Sequence, residues 1–178
     1  VSSALLVPLV RVELSTADDP ECGISVALFV AGCRHRCLGC QNPELQTTQG
    51  FKFQPIEDVI SRVRTVVYRS GGLVDSVVFL GGDWMLYQNS YLRVTQWARG
   101  RSLKTVLYTG EKYEDLSEAV RQASEWVIDG DWRQDLPGVY PASTNQRVFH
   151  RGQLTSPESL PLFQHLMSLQ ENRGATSV

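Results

Sequence analysis

Short apolar runs closed by glycine alternate along this chain with stretches in which apolar residues recur at helical spacing. Residues 24–31 form one such run and end at Gly32. Ile56, Val59, Ile60, Val63, Val66 and Val67 then recur at i, i+3, i+4, i+7, i+10 and i+11, which predicts one face of a helix, with Pro55 at its first position and Gly71-Gly72 at its end. Residues 76–80 read as a buried strand bounded by Gly81-Gly82, 89–99 as a weaker helix, and 105–108 as a strand closed by Thr109-Gly110. Tyr113, Leu116, Val120 and Ala123 mark a third helical face, and 126–128 a strand ending at Asp129-Gly130. The Pro-, Gly- and polar-rich stretch 131–145 reads as a loop and 147–149 as a last strand. Ser156 and Pro157 suit a helix start, with Leu162, Phe163, Leu166 and Leu169 as its apolar stripe and a frayed tail after Asn172. The opening apolar residues 1–10 lack a basic start and a cleavage pattern and contain Pro8, so they read as a strand or ordered lead-in.

Strand, then glycine or polar residues, then helix is the sequence form of an α/β fold with a mostly parallel sheet. In such folds sites form at the carboxyl ends of the strands, so the loops after residues 31, 80, 108 and 128 are expected to gather at one edge. The expected division is a main domain over 1–150 and a C-terminal helical extension with frayed tail over 151–178.

Composition narrows the class. The chain has 178 residues, 42% hydrophobic and 20% charged, as an ordinary globular domain does. Lys and Arg total 17 against 19 Asp and Glu, a net charge of −2 that gives no footprint for nucleic acid. No apolar run approaches the roughly 18 residues of a spanning helix, so no membrane partner is expected and a cytoplasmic location is the default.

The cysteines carry the chemistry. There are four, and Cys33, Cys37 and Cys40 fall within eight residues, with Cys22 upstream. Clustering of this kind points to a metal or cluster site in a reducing compartment rather than to a disulfide scaffold. A structural zinc needs four ligands, and both candidates for the fourth are awkward: His35 lies inside the loop, and Cys22 lies across the predicted strand. A 4Fe–4S cluster has four iron corners, so three thiolates leave one iron open for chemistry. Spacing alone leaves both readings standing.

Cys33-x3-Cys37-x2-Cys40 is similar to the signature of the radical S-adenosylmethionine family. The longer string Phe29-Val30-Ala31-Gly32-Cys33, Cys37, Gly39-Cys40 and Asn42 resembles the activating enzymes of anaerobic ribonucleotide reductase. Leu80-Gly81-Gly82-Asp83, Tyr108-Thr109-Gly110 with Lys112 and Leu116, Val127-Ile128-Asp129-Gly130, Gln134-Asp135-Leu136 and Ser143-x-Asn145-Gln146-Arg147-Val148 follow in the family's order. The resemblance covers about residues 22–150. It implies a parallel sheet curved into a partial (β/α) barrel and a 4Fe–4S cluster on Cys33, Cys37 and Cys40. S-adenosylmethionine would chelate the open iron and be cleaved reductively, leaving a glycyl radical on a large reductase subunit. The implied electron donor is of flavodoxin or ferredoxin type. By the same resemblance Gly81, Gly82 and Asp83 would bind the cofactor, with Asp83 accepting its cationic amino group. Thr109, Asp129 and Asn145 would lie near the rest of it.

Two departures stand out. Trp84 replaces the Pro that often follows the Gly-Gly-acid motif, and the tail is longer than the family's minimal form. Trp84 is expected to pack in the core or to cover the adenine, while Trp97, Trp126 and Trp132 need only packing. His35 and Arg36 screen cluster charge or face solvent, and Cys22 is expected to be a buried thiol. The rival readings are a small-molecule radical enzyme, such as one like 7-carboxy-7-deazaguanine synthase, and a zinc-stabilised binding module without catalysis.

Overall fold

A computed structural model of the chain describes residues 5–175, with side chains as far as residue 172. Leu6–Val7 (β1) pairs with Gln54–Pro55 (β4) in a small separate ribbon. Leu9–Ser15 (β2) and Ile24–Val30 (β3) open the main sheet, and Ile56–Arg69 (α1) leads to Val74–Gly81 (β5). Gln88–Arg99 (α2), Lys104–Thr109 (β6), Glu118–Ala123 (α3) and Trp126–Asp129 (β7) follow. Arg147–His150 (β8), Gln153–Thr155 (β9) and Pro161–Ala175 (α4) complete the chain.

The main sheet has seven strands in the order β2-β3-β5-β6-β7-β8-β9. Its centre, β3-β5-β6-β7, is parallel, and β2, β8 and β9 are antiparallel additions at the two edges. The fold is therefore mixed α/β with a parallel heart, as the strand and helix alternation implies. Alternation along the strands explains why the central runs are apolar throughout. Val77, Phe79, Leu107 and Val127 pack toward α1, α2 and α3, while Val78, Val106, Trp126 and Ile128 pack on the other face with Leu160 and Leu162 at the head of α4. With both faces covered, no polar alternation is left to read.

Several expected elements shift for local reasons. Pro55 caps α1 rather than opening it. The third helix begins only at Glu118, because Ser117 caps it and Tyr113–Asp115 forms a separate 3-10 turn. Ser156 and Pro157 start another 3-10 turn, Pro157–Ser159, and the helix proper begins at Pro161. Its buried stripe ends at Leu166, since Leu169 is exposed. The expected boundary at residue 150 falls in the turn between β8 and β9, which share the main sheet. The helix continues past Asn172 to Ala175, and the rest of the expected frayed tail lies outside the described residues, as do residues 1–4 of the lead-in. Among the described residues, no helix is long and apolar enough to cross a membrane.

Trp84 is fully buried. Its indole N–H donates to the Leu28 carbonyl at 3.2 Å, and its ring meets Phe79 edge-on at 5.0 Å. It anchors the turn after β5 against the sheet and is not free to cover a ligand. Trp84→Ala should lower unfolding free energy by about 3–5 kcal/mol, the usual cost of deleting a buried aromatic. Urea denaturation of the variant against the parent measures it.

Candidate metal and cofactor site

The cysteine loop leaves β3 at the carboxyl edge of the parallel strands and is held by its backbone. Ala31 N–H donates to Pro8 O, Gly32 N–H to Leu45 O at 2.8 Å and Cys33 N–H to Gln46 O at 3.2 Å. Gly39 takes a left-handed conformation with φ of +71°, and a side chain there would strike Gln134. Cys33, Cys37 and Cys40 all line one cavity of about 270 Å³, together with Gly81, Gly82 and Thr109. Burial pushes the Cys33 and Cys37 thiols up. The Asn42 N–H donates to Cys40 Sγ at 3.4 Å.

Cys22 takes no part. It is exposed rather than buried, and it precedes β3 where the other three follow it. A seven-residue strand puts roughly 23 Å between those ends. The three-thiol set therefore has no fourth cysteine within reach. Among the described residues, no three His, Cys, Asp or Glu side chains gather closely enough to hold one metal ion. A single zinc requires such a common point at about 2.3 Å from each sulfur, whereas a four-iron cluster receives thiolates at separate corners. Trp132 also lines the cavity, and its buried indole N–H has no hydrogen-bond partner among the described residues. An orphaned donor beside three thiols fits a group rich in sulfur or oxygen acceptors.

Gly81 and Gly82 allow two strand ends to meet. A methyl on Gly81 would stand 2.6 Å from Val30 N, and one on Gly82 would stand 2.1 Å from Gly32 O. Their absence lets Gly82 N–H donate to Val30 O and Asp83 N–H to Gly32 O, both at 2.7 Å. Asp83 then turns into the protein and is 3% exposed. It accepts from Met85 N–H at 2.9 Å, Thr109 Oγ1 at 2.9 and 3.1 Å, Gly110 N–H at 3.2 Å and His35 Nε2 at 3.0 Å. His35 lies against Gly110, and its other ring nitrogen is 2.9 Å from Asp131 Oδ1. The bond to Asp83 raises the His35 pKa against the opposing effect of burial.

Asp129 and Asn145 sit beside the cavity rather than in its lining, where Gly130 and Gln146 stand. Asp129 accepts from Tyr113 N–H at 2.7 Å and from both Arg147 guanidinium edges that reach it, with Arg147 Nε at 3.0 Å. Arg147 also clasps Glu114, whose carboxyl it holds down to about 2. Asn145 donates to the Asp131 carbonyl at 2.8 Å and accepts from Ser143. His35 is thus neither a solvent-facing residue nor a simple charge screen. Its partners Asp83 and Asp131 stand outside the cavity lining, as Asp129 and Asn145 do, while Asp18, Tyr108 and Tyr140 add polar groups to the lining that short motifs do not show. Its place between two cysteines and the acid two residues after Asp129 were the available signals.

Residues 22–149 match the family model described as a 4Fe-4S single cluster domain. The chain is 28% identical over 137 residues to the anaerobic ribonucleoside-triphosphate reductase-activating protein of Enterobacteria phage T4, covering 71% of this chain and 84% of the relative. The protein of the same name in Escherichia coli is 28% identical over 141 residues, covering 72% and 89%. The pyruvate formate-lyase-activating enzyme of Clostridium pasteurianum is 26% identical over 120 residues, covering 65% and 48%.

Cys33→Ala, Cys37→Ala and Cys40→Ala should each lose the iron and sulfide taken up on anaerobic reconstitution, while Cys22→Ala should keep both. Iron and sulfide analysis checks this, and equal retention in all four variants would remove the loop as the binding site.

Proposed function

The chain belongs to the 4Fe-4S single cluster domain family, and from that premise we propose that it is a radical S-adenosylmethionine activase that generates a glycyl radical on a large anaerobic ribonucleotide reductase subunit. The observation that carries this reading is one cavity lined by the three thiols and by Gly81, Gly82, His35, Thr109 and Gly110, with the buried acid Asp83 held directly behind the last three. The names of its relatives, activating proteins of anaerobic ribonucleoside-triphosphate reductase, support the choice of partner. In this reading the sheet is the open form of a partial (β/α) barrel, and the enzyme works in the cytoplasm with a flavodoxin- or ferredoxin-type donor.

Cys33, Cys37 and Cys40 would hold the cluster and leave its fourth iron for S-adenosylmethionine. When bound, these groups supply a one-electron carbon–sulfur cleavage whose product takes a hydrogen atom from glycine. The chain's own residues bind and orient. Asp83 offers its carboxylate to the cofactor's cationic amine, a charge-assisted bond. Thr109 and the Gly110 N–H fix that carboxylate, and Gly81 and Gly82 form a wall without side chains. Asp129, neutralised by Arg147, and Asn145, bonded to the Asp131 carbonyl, hold the rim of the cofactor site.

The cavity favours a protein substrate over the small-molecule rival. About 270 Å³ falls below the roughly 300–1,000 Å³ of small-ligand sites, so a cofactor would fill the cavity that the three thiols line. Leu38, between Cys37 and Gly39, is 89% exposed on the cysteine loop and offers an apolar contact to a docking partner. The partner must then complete the wall that keeps water from the radical.

Reduced enzyme with S-adenosylmethionine and the large reductase subunit should give an electron-paramagnetic-resonance doublet, which replacing the target glycine by alanine erases. Substantial turnover of a free small molecule with no partner present would replace this reading with the small-molecule one.

A further inference from the structure

Asp83 has no acceptor position to spare. A carboxylate offers about four lone-pair sites. Four groups already donate to it: the Met85 and Gly110 backbone N–H groups, the Thr109 hydroxyl and His35 Nε2. Its 3% exposure leaves no solvent-facing edge for a fifth. An incoming ammonium must therefore take the place of a present donor.

The four donors are unequal in their freedom to leave. Two belong to the main chain, Gly110 just past the end of β6 and Met85 within the 3-10 turn Trp84–Tyr87 that Asp83 caps. The Thr109 hydroxyl is pinned by a second bond, accepting from the Glu111 N–H at 3.1 Å. His35 alone is a side chain reaching in from the cysteine loop. Its Nδ1 already has a partner in Asp131, whose side chain is 55% exposed, so the ring keeps a hydrogen bond after it leaves Asp83.

We propose that His35 is a placeholder on Asp83, and that the cationic amino group of S-adenosylmethionine displaces it when the cofactor binds. The proposal rests on the reading of Asp83 as the acceptor for that amine. It answers a physical problem of the free protein. A buried carboxylate without its cation is costly, and His35 supplies a donor until the cofactor brings its own. The arrangement lowers apparent cofactor affinity by the fraction of time the ring is off Asp83. His35 is thus a positioning residue that acts through Asp83 and touches neither cluster iron nor substrate.

Equilibrium dialysis of S-adenosylmethionine against anaerobically reconstituted protein, normalised to cluster content, tests this. His35→Phe keeps a ring against Gly110 but donates nothing, and His35→Ala removes the ring. Both should bind the cofactor about tenfold more tightly if the placeholder occupies Asp83 roughly nine-tenths of the time. His35→Gln, which restores a donor, should return toward the parent affinity. A purely structural role for His35 gives the opposite sign. Equal or weaker binding in both the Phe and Ala variants, or loss of the cluster in both, would overturn the placeholder. Asp83→Ala separates this from the reading beneath it. If Asp83→Ala weakens binding while the His35 variants fail to tighten it, the placeholder alone falls. If Asp83→Ala binds as the parent does, the assignment of Asp83 to the cofactor falls, and the placeholder with it.

Discussion

Two backbone hydrogen bonds join the end of β5 to the start of the cysteine loop: Gly82 N–H to Val30 O and Asp83 N–H to Gly32 O, each 2.7 Å. They carry the parallel ladder one step past the strands and into the site. Any side chain at Gly82 would collide with Gly32 O, so the contact exists only because that position is glycine. Gly32 immediately precedes Cys33, and Gly82 immediately precedes Asp83. The separation between the cysteine loop and the buried acid is therefore set by main-chain bonds, not by flexible side chains. Thr109, Gly110 and His35 then close on Asp83 from the next strand end and from the loop itself.

The same edge holds two buried carboxylates with different fates. Asp129 is bonded by Arg147, which also clasps Glu114, so that acid is neutralised within the rim. Asp83 receives backbone N–H groups, a hydroxyl and one imidazole, and no Lys or Arg. With Asp131 and Glu111 also close to the imidazole, the local field around Asp83 favours a cationic group. An amine-bearing cofactor fits such a field, and an anionic one does not.

Much of this was legible in the sequence, for physical reasons. Apolar runs of strand length closed by glycine marked β3, β5, β6 and β7, because central parallel strands are buried on both faces. The three cysteines stood out by spacing. What escaped were features set by tertiary packing. β9 is three residues long, with Leu154 exposed, and carries no pattern. Much of β2 is half-exposed at an edge, so it reads as neither buried nor cleanly alternating. His35 reads from sequence as a charge screen or a solvent-facing residue, because nothing local shows that the ends of β5 and β7 bring Asp83 and Asp131 to its two nitrogens. Trp84 reads from sequence as core packing or a cover for the adenine, and its buried indole, bonded to the Leu28 carbonyl, decides for packing. Cys22, with its odd left-handed backbone, lies at the far end of β3, and only the length of that strand excludes it.

The central claim is that three cysteines hold a four-iron cluster with one iron left for the cofactor. Mössbauer spectroscopy of protein reconstituted with isotopically enriched iron tests it most directly. The account predicts a four-iron signal in which one iron of the four changes its environment when S-adenosylmethionine is added. A spectrum that the cofactor leaves unaltered, or a protein that takes up one zinc in place of the iron, would contradict it.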